Sequence, residues 1–265
     1  MTGQPAMEKR PVLLEDTVVS CSYLPGKIFR SENFLYPDVS AELLDKLLAG
    51  GYRHFGYYFF RPFCGRCHQC IPLRVPVEKF VPGASFRRIL SRNKDVEVIL
   101  QRPAPSEEAF SIYKKHKKRF RDQGVEAYRT FLSSFFYSFD FSYQLSMKKE
   151  GKLVGIAHLD ITDLSLSCIY SYYDTDYESD SPGTFSILKS LEIARAKSIP
   201  HVYLGYYVNG CRHMNYKIRF RPNQALVKEG EWRDFTGDSN SSIPPALVKR
   251  GFRPKKRFSS QAFDG

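Results

Sequence analysis

The sequence contains no apolar run approaching the roughly 18 residues of a membrane-spanning helix, and its opening, MTGQPAMEKRPVLLED, lacks the apolar stretch of a secretory signal. These absences argue against membrane insertion and lead to the expectation of a cytoplasmic protein. Acidic residues are scarce beside basic ones, 28 Asp plus Glu against 40 Lys plus Arg, which leaves a formal charge of +12. That balance favours a polyanionic partner, nucleic acid first. Hydrophobic residues, by contrast, make up 42% of 265 residues, enough to bury a core in one large or two modest domains.

The six cysteines are unevenly placed. Cys64, Cys67 and Cys70 form C-x-x-C-x-x-C, whereas Cys21, Cys168 and Cys211 stand apart. In a cytosolic chain, clustered thiols indicate metal or redox chemistry rather than disulfides. Cys21, Cys64, Cys67 and Cys70 together suit a closed tetrahedral zinc site or an iron–sulfur cluster, with structural or redox-labile free thiols as the alternative. The ferredoxin spacing itself fails, because Pro72 follows Cys70 by two residues.

Along the chain, SAELLDKLLAGG from Ser40 predicts a short helix, capped by Ser40, paired at Glu42 and Lys46, and ended by Gly50-Gly51. Strand-like runs at Tyr57 to Arg61 and Ile71 to Val77 suggest a hairpin with the thiols at its turn. Ser106 begins a helix that runs into the basic stretch Lys114 to Arg121. Tyr143 to Lys148, Lys152 to Ile161 and Leu166 to Tyr173 predict an antiparallel meander. A helix over Thr184 to Lys197 and a strand at His201 to Gly205 follow. This order of three strands, helix and strand resembles the core of GNAT-type acyltransferases. The expected fold class is therefore α+β, a mixed and largely antiparallel sheet with helices. The division expected is a Cys-containing N-terminal domain over 1–105, the GNAT-like transfer domain over 106–235, and a polar basic tail over 236–265.

Several segments, in this order and spacing, resemble the arginyl-tRNA-protein transferase family and its bacterial branch, the aspartate/glutamate leucyltransferases. They are CSYLP from Cys21, GYYFFRPFCGRCHQCIPLRV from Gly56, the paired arginines after Ser85, YSYYD from Tyr170, SPGT from Ser181 and YLGYYVNGCRHMNYKIRFRP from Tyr203. The one-plus-three arrangement of thiols resembles the bacterial branch; Arg53-His54-Phe55-Gly56 departs from the family's more usual Arg-x-Ser-Gly. The resemblance implies transfer of leucine from leucyl-tRNA to the α-amine of proteins beginning with Asp or Glu, which marks them for N-degron degradation. Arginyl-tRNA as donor is the close rival. A metal-organised RNA-binding module without catalysis and a CoA-dependent acetyltransferase are the readings from other classes.

Aminolysis of an already activated ester requires no cofactor, only alignment of amine and ester, proton transfer and oxyanion stabilisation. Within a GNAT-like core the strand ends carrying Tyr172, Asp174 and Tyr206 would face each other, with Asp174 orienting the ammonium and a tyrosine serving the oxyanion. Arg212, Lys217, Arg219 and Arg221, interleaved with aromatics, suit the single-stranded end of tRNA, as do Arg87, Arg88 and Arg92 its phosphates. As a strand, Tyr216 to Arg221 would place Lys217, Arg219 and Arg221 on one face. Arg53, Arg61, Arg74 and His54 are the candidates for reading an acidic acceptor.

Overall fold

The computed structural model describes residues 11–119, 127–137, 139–228 and 230–235. Residues 1–10, Arg121 of the basic stretch and the tail over 236–265 lie outside them. No described helix is long and apolar enough to cross a membrane.

The chain opens with β1 (Val12–Leu13), β2 (Thr17–Ser20) and β3 (Ile28–Leu35), then α1 (Ala41–Ala49), β4 (Arg53–Phe55) and β5 (Tyr58–Pro62). These strands form a small antiparallel sheet in the order β1-β3-β5-β4, with β2 on the other end of β3. The Ser40 hydroxyl caps α1 by accepting from the Leu43 amide at 3.2 Å. Glu42 and Lys46 do not close an ion pair, in keeping with the small gain available to an exposed pair. Leu44, Leu47 and Leu48 of α1 pack with Phe34, Phe59 and Tyr52 into a core under this sheet.

The remaining elements build a larger sheet. They are β6 (Cys70–Pro76), α2 (Ala84–Arg92), β7 (Val96–Gln101), α3 (Glu107–Lys117), α4 (Tyr128–Phe135), β8 (Ser142–Lys149), β9 (Lys152–Ile161), β10 (Ser165–Tyr173), α5 (Pro182–Ala196), β11 (His201–Val208), β12 (Gln224–Lys228) and β13 (Glu231–Asp234). The strand order is β13-β12-β6-β11-β10-β9-β8-β7. Every neighbouring pair is antiparallel except β10 and β11, which the α5 crossover makes parallel. The meander β8-β9-β10 has the predicted bounds to within a residue, and its first turn uses Glu150 and Gly151, both at positive φ (52° and 79°), the geometry of a two-residue hairpin loop.

Two expectations are corrected. The strands flanking the thiols do not form a hairpin, because β5 pairs with β3 and β4 whereas β6 pairs with β11 and β12. Their apolar residues serve different cores: Phe59 fills the small-sheet core, and Ile71, Leu73 and Val75 fill the large one. Tyr216 to Arg221 is not a strand but a 3-10 turn over Asn215–Arg219. Phe220 there is fully buried and stacks on Phe86 at 4.7 Å, which winds the segment onto α2. The large sheet takes β6 and β7 from the part of the chain before residue 106.

Helices cover both faces of the large sheet. Phe185, Leu188 and Leu191 of α5 bury against Val202, Leu166 and Leu159, while Tyr113 of α3 and Phe131 and Phe135 of α4 meet Ile156 and Tyr172 on the other side. The turn between β4 and β5 runs so close to α4 that a Cβ on Gly56 would fall 2.1 Å from the Ser133 carbonyl oxygen. His158 of β9 stacks on Phe135 at 4.8 Å, with its Nδ1 unpartnered. Burial pushes its imidazole pKa down to about 3, and burial helped by Arg119 takes His116 down to about 4. The unfolded chain therefore binds protons that these folded sites refuse. Stability is complete above the ordinary histidine value and is lost as pH falls from there toward the folded values. His158 alone is expected to cost about 2 kcal/mol at about pH 5. Urea unfolding of wild type and His158→Phe at pH 7.5 and 5 checks this: the variant loses less between the two, and an equal loss sinks the assignment.

Candidate active site

β10 and β11 pair only over Ser165–Ser167 and His201–Tyr203. Beyond that point each keeps its outer neighbour, β9 or β6, and the two inner edges part. Register breaks mark the divergence on both sides, between Cys168 and Tyr170 on β10 and between Tyr203 and Gly205 on β11. A parting of parallel strands leaves unpaired backbone facing a cleft, which is where ligands enter open α/β sheets.

A cation fills the root of this cleft. Arg53, on β4 of the small sheet, donates from Nη1 to Ser167 Oγ at 2.9 Å and from Nη2 to the Cys168 carbonyl. Opposite, Gly205 has φ of 77°, a conformation that favours glycine, and a Cβ there would stand 3.3 Å from the Arg53 Cζ and press on the guanidinium. Lys217, from the turn after β11, is buried and donates from Nζ to the Tyr206 carbonyl at 2.9 Å. Burial, with Arg53 close by, lowers its pKa to about 7. Burial also lowers the pKa of Arg53. Lys217, expected at the tRNA phosphates, lies in the interior instead, because the turn that carries it folds back under β11.

The other candidates are held in place by local partners. Tyr206 is buried and its hydroxyl donates to the Gly51 carbonyl at 2.7 Å, which leaves no free proton for an oxyanion and pins β11 to the end of α1. Tyr172 is fully buried among the α3 and α4 aromatics, its hydroxyl 3.4 Å from His158 Nε2, away from the cleft. Asp174 ends β10 and caps the following turn, accepting from the Asp176 amide at 3.1 Å and from Lys115. Burial pushes its carboxyl up, but the Lys115 and Asp176 hydrogen bonds outweigh it and hold it below the usual value.

Of the acceptor candidates, only Arg53 reaches the cleft. Arg61 donates to Glu32 at 2.8 Å and to the Gly50 carbonyl at 3.0 Å while covering the Tyr52 ring. Arg74 donates to Gln224 at 2.8 Å and lies over Trp232. His54 donates from Nδ1 to the Gly56 carbonyl and meets Asp160 Oδ2 at 2.5 Å, both side chains inaccessible.

The two arginine segments, distant in sequence, meet at the surface. Arg87, Arg88 and Arg92 on α2 are exposed, and Arg219, also exposed, reaches Ser85 Oγ at 3.3 Å and covers the Phe86 ring. Arg212 and Arg221 are exposed on the same post-β11 segment. Arg87, Arg88, Arg92 and Arg219 make no ion pair with any described residue. The Lys114 to Arg119 stretch differs, since Lys115 pairs with Asp174 and Asp176, and Arg119 with Glu178.

The cysteines are all free thiols. Cys64 and Cys67 close a tight loop whose Cys67 amide donates to the Cys64 carbonyl at 3.1 Å, Cys64 Sγ accepts from the Arg30 amide at 3.3 Å, and Cys70 pairs with Val208 at the start of β6. Burial, and then the nearby Cys64, Cys21 and Cys67, push the Cys70 thiol up to about 12. Among the described residues no three His, Cys, Asp or Glu side chains converge to hold a metal ion. The donor chemistry suits zinc or an iron–sulfur cluster, and Cys21, Cys64, Cys67 and Cys70 lie close enough to raise one another's charge cost.

A cleft between parting strands, a cationic root and exposed arginines without ion pairs suit a protein that handles a polyanion such as nucleic acid. The family model described as arginine-tRNA-protein transferase, N terminus, matches residues 19–88, and that described as its C terminus matches residues 108–227. An aspartate/glutamate leucyltransferase of Marinobacter nauticus is 36% identical over 225 residues, 82% of this chain and 93% of that one. Those of Campylobacter jejuni (34% over 222 residues, 80% and 90%) and Pseudomonas putida (34% over 218 residues, 79% and 91%) are similar. Among solved structures, the C-terminal domain of a putative lysylphosphatidylglycerol synthetase from Agrobacterium fabrum superposes at a TM-score of 0.43 with 16% identity, over 68% of this chain and 56% of that one. The chain belongs to the arginyl-tRNA-protein transferase family, on the side of the aspartate/glutamate leucyltransferases. It is an aminoacyltransferase, and aminoacyl-tRNA is its donor.

Proposed function

We propose that this enzyme transfers leucine from leucyl-tRNA to the α-amine of proteins that begin with Asp or Glu. The observation that carries the reading is the parting of β10 and β11 over Arg53 and Lys217, beside the exposed arginines of α2 and the post-β11 turn. In this reading the arginines take the tRNA phosphates and the acylated ribose enters the cleft. Attack by the acceptor amine forms the new amide bond and releases the ribose hydroxyl, with the amine's proton passing to the leaving oxygen. No cofactor is needed, and most of the rate comes from holding amine and ester together.

The surroundings also favour leucine over arginine as the transferred residue. The half-buried Phe55, Phe60 and Tyr170 supply apolar surface next to the cleft. The nearby carboxylates are occupied, Asp160 by His54 and Ser142 and Asp174 by Lys115. A guanidinium on the donor would meet Arg53 and Lys217, with neither of these two carboxylates free to receive it.

An assay with a peptide beginning with Asp and separately charged leucyl- and arginyl-tRNA tests the proposal. Leucine is expected to appear at the peptide N-terminus. Arginine alone would overturn the donor assignment, and no transfer from either would overturn the reaction.

A further inference from the structure

Two buried basic side chains come together at the root of the cleft. Arg53 is 8% exposed and Lys217 is 9% exposed. Neither makes an ion pair with a described residue; the nearest carboxylate to influence Arg53, Asp160, is engaged by His54 and Ser142. A buried charge without a partner is costly, and folded proteins normally match it with an anion. Lys217 relieves part of that cost through its lowered pKa, and an anion held against both groups would keep it charged.

Both groups also have donors to spare. A guanidinium carries five N–H groups, and Arg53 commits Nη1 to Ser167 and Nη2 to Cys168. An ammonium carries three, and Lys217 commits one to Tyr206. The remaining donors belong to two chain segments that meet only because β10 and β11 part there.

We propose that Arg53 and Lys217 together form the receptor for the side-chain carboxylate of the acceptor's first residue. This rests on the proposed acceptor class. A carboxylate on one or two methylenes is small enough to reach side chains with so little exposed surface, whereas a polynucleotide backbone, with its bulky flanking sugars, is not. The carboxylate accepts from both cations, which replaces solvent for each, and its short stem leaves the α-amine of the same residue at the cleft where the ester must lie. An isosteric amide at that position presents an NH2 group to two donors and leaves them unmatched. The small exposure of the root, rather than surface charge, thereby makes an acidic first residue a requirement.

The test compares peptides differing only in Asp or Asn at the first position. Two readouts are used: kcat and KM for transfer from leucyl-tRNA, and direct peptide binding by fluorescence anisotropy without tRNA. Wild type is expected to favour Asp over Asn by on the order of 100-fold in kcat/KM. Lys217→Met should reduce that ratio by about 10-fold or more, through peptide KM and binding, with KM for leucyl-tRNA unchanged. Lys217→Arg, which keeps the charge, should retain most of the ratio and guards against simple misfolding of the methionine variant. An unchanged Asp/Asn ratio in Lys217→Met overturns the proposal, as does a rise confined to the KM for leucyl-tRNA, which would make the pair a phosphate site. If wild type transfers nothing but still binds Asp over Asn through Lys217, the receptor stands and the donor reading falls.

Discussion

Replacing His54 by alanine is expected to destabilise the protein by about 3–5 kcal/mol, because it removes one member of a fully buried pair and strands the other. His54 and Asp160 have no accessible side-chain surface and meet at 2.5 Å. Both imidazole nitrogens are used, Nδ1 on the Gly56 carbonyl and Nε2 on Asp160, whose second oxygen accepts from Ser142 at 3.1 Å. Without His54 the buried Asp160 carboxylate keeps only the hydroxyls of Ser142 and Tyr137. Phe59 and Phe139 pack against the imidazole and make the enclosure largely apolar. Asp160→Asn should lose less than His54→Ala, and the double variant should lose less than the sum of the two, since the orphaned charge is then absent. Urea unfolding of the four proteins checks this; a loss under about 1 kcal/mol in His54→Ala rejects it. The pair also matters for the site. It clamps β4 to β9, and the adjacent residue on β4 is Arg53, so loosening the clamp also misplaces the cation at the root of the cleft.

The second large effect concerns donor binding. Alanine at Arg88, Arg92 and Arg219 together is expected to raise KM for leucyl-tRNA by about 100-fold at low salt and to flatten its dependence on salt by roughly 0.7–0.9 logarithmic units per lost phosphate contact. The reason is that these side chains are exposed, share one surface and are not neutralised by described acids. The control is Lys115 with Arg119. These are equally basic in sequence, yet they are tied to Asp174, Asp176 and Glu178, so their alanine variants should shift the salt slope little. If the α3 variants flatten the slope and the α2 variants do not, the tRNA surface is on the opposite face of the large sheet.

Much of the architecture is legible from local pattern. The β8-β9-β10 meander is marked by apolar strands and positive-φ turn residues, and the α1 and α3 starts by Ser40 and Ser106, whose hydroxyls accept from the Leu43 and Ala109 amides. These signals lie within a few residues of each other. β1 to β4, α4, β12 and β13 carry no such signal, because they are short and are stabilised by partners far away in the chain. The hairpin expected around the thiols failed for the same reason: neighbours in sequence were drawn to two separate cores.

For the site the contrast is sharper. Composition pointed to a nucleic-acid partner, and ordered motifs pointed to the family, neither of which depends on where a side chain turns. Which basic residues act does depend on it. In sequence, Arg53, Arg61 and Arg74 are equivalent, as are Lys217, Arg219 and Arg221. Tertiary structure separates them, sending Arg61 to Glu32, Arg74 to Trp232 and Arg53 into the cleft, and it buries Lys217 while leaving Arg219 and Arg221 outside. The physical reason is that the cost of a charge is set by what surrounds it, and here those surroundings come from β4, β10, β11 and the turn beyond, which only folding brings together.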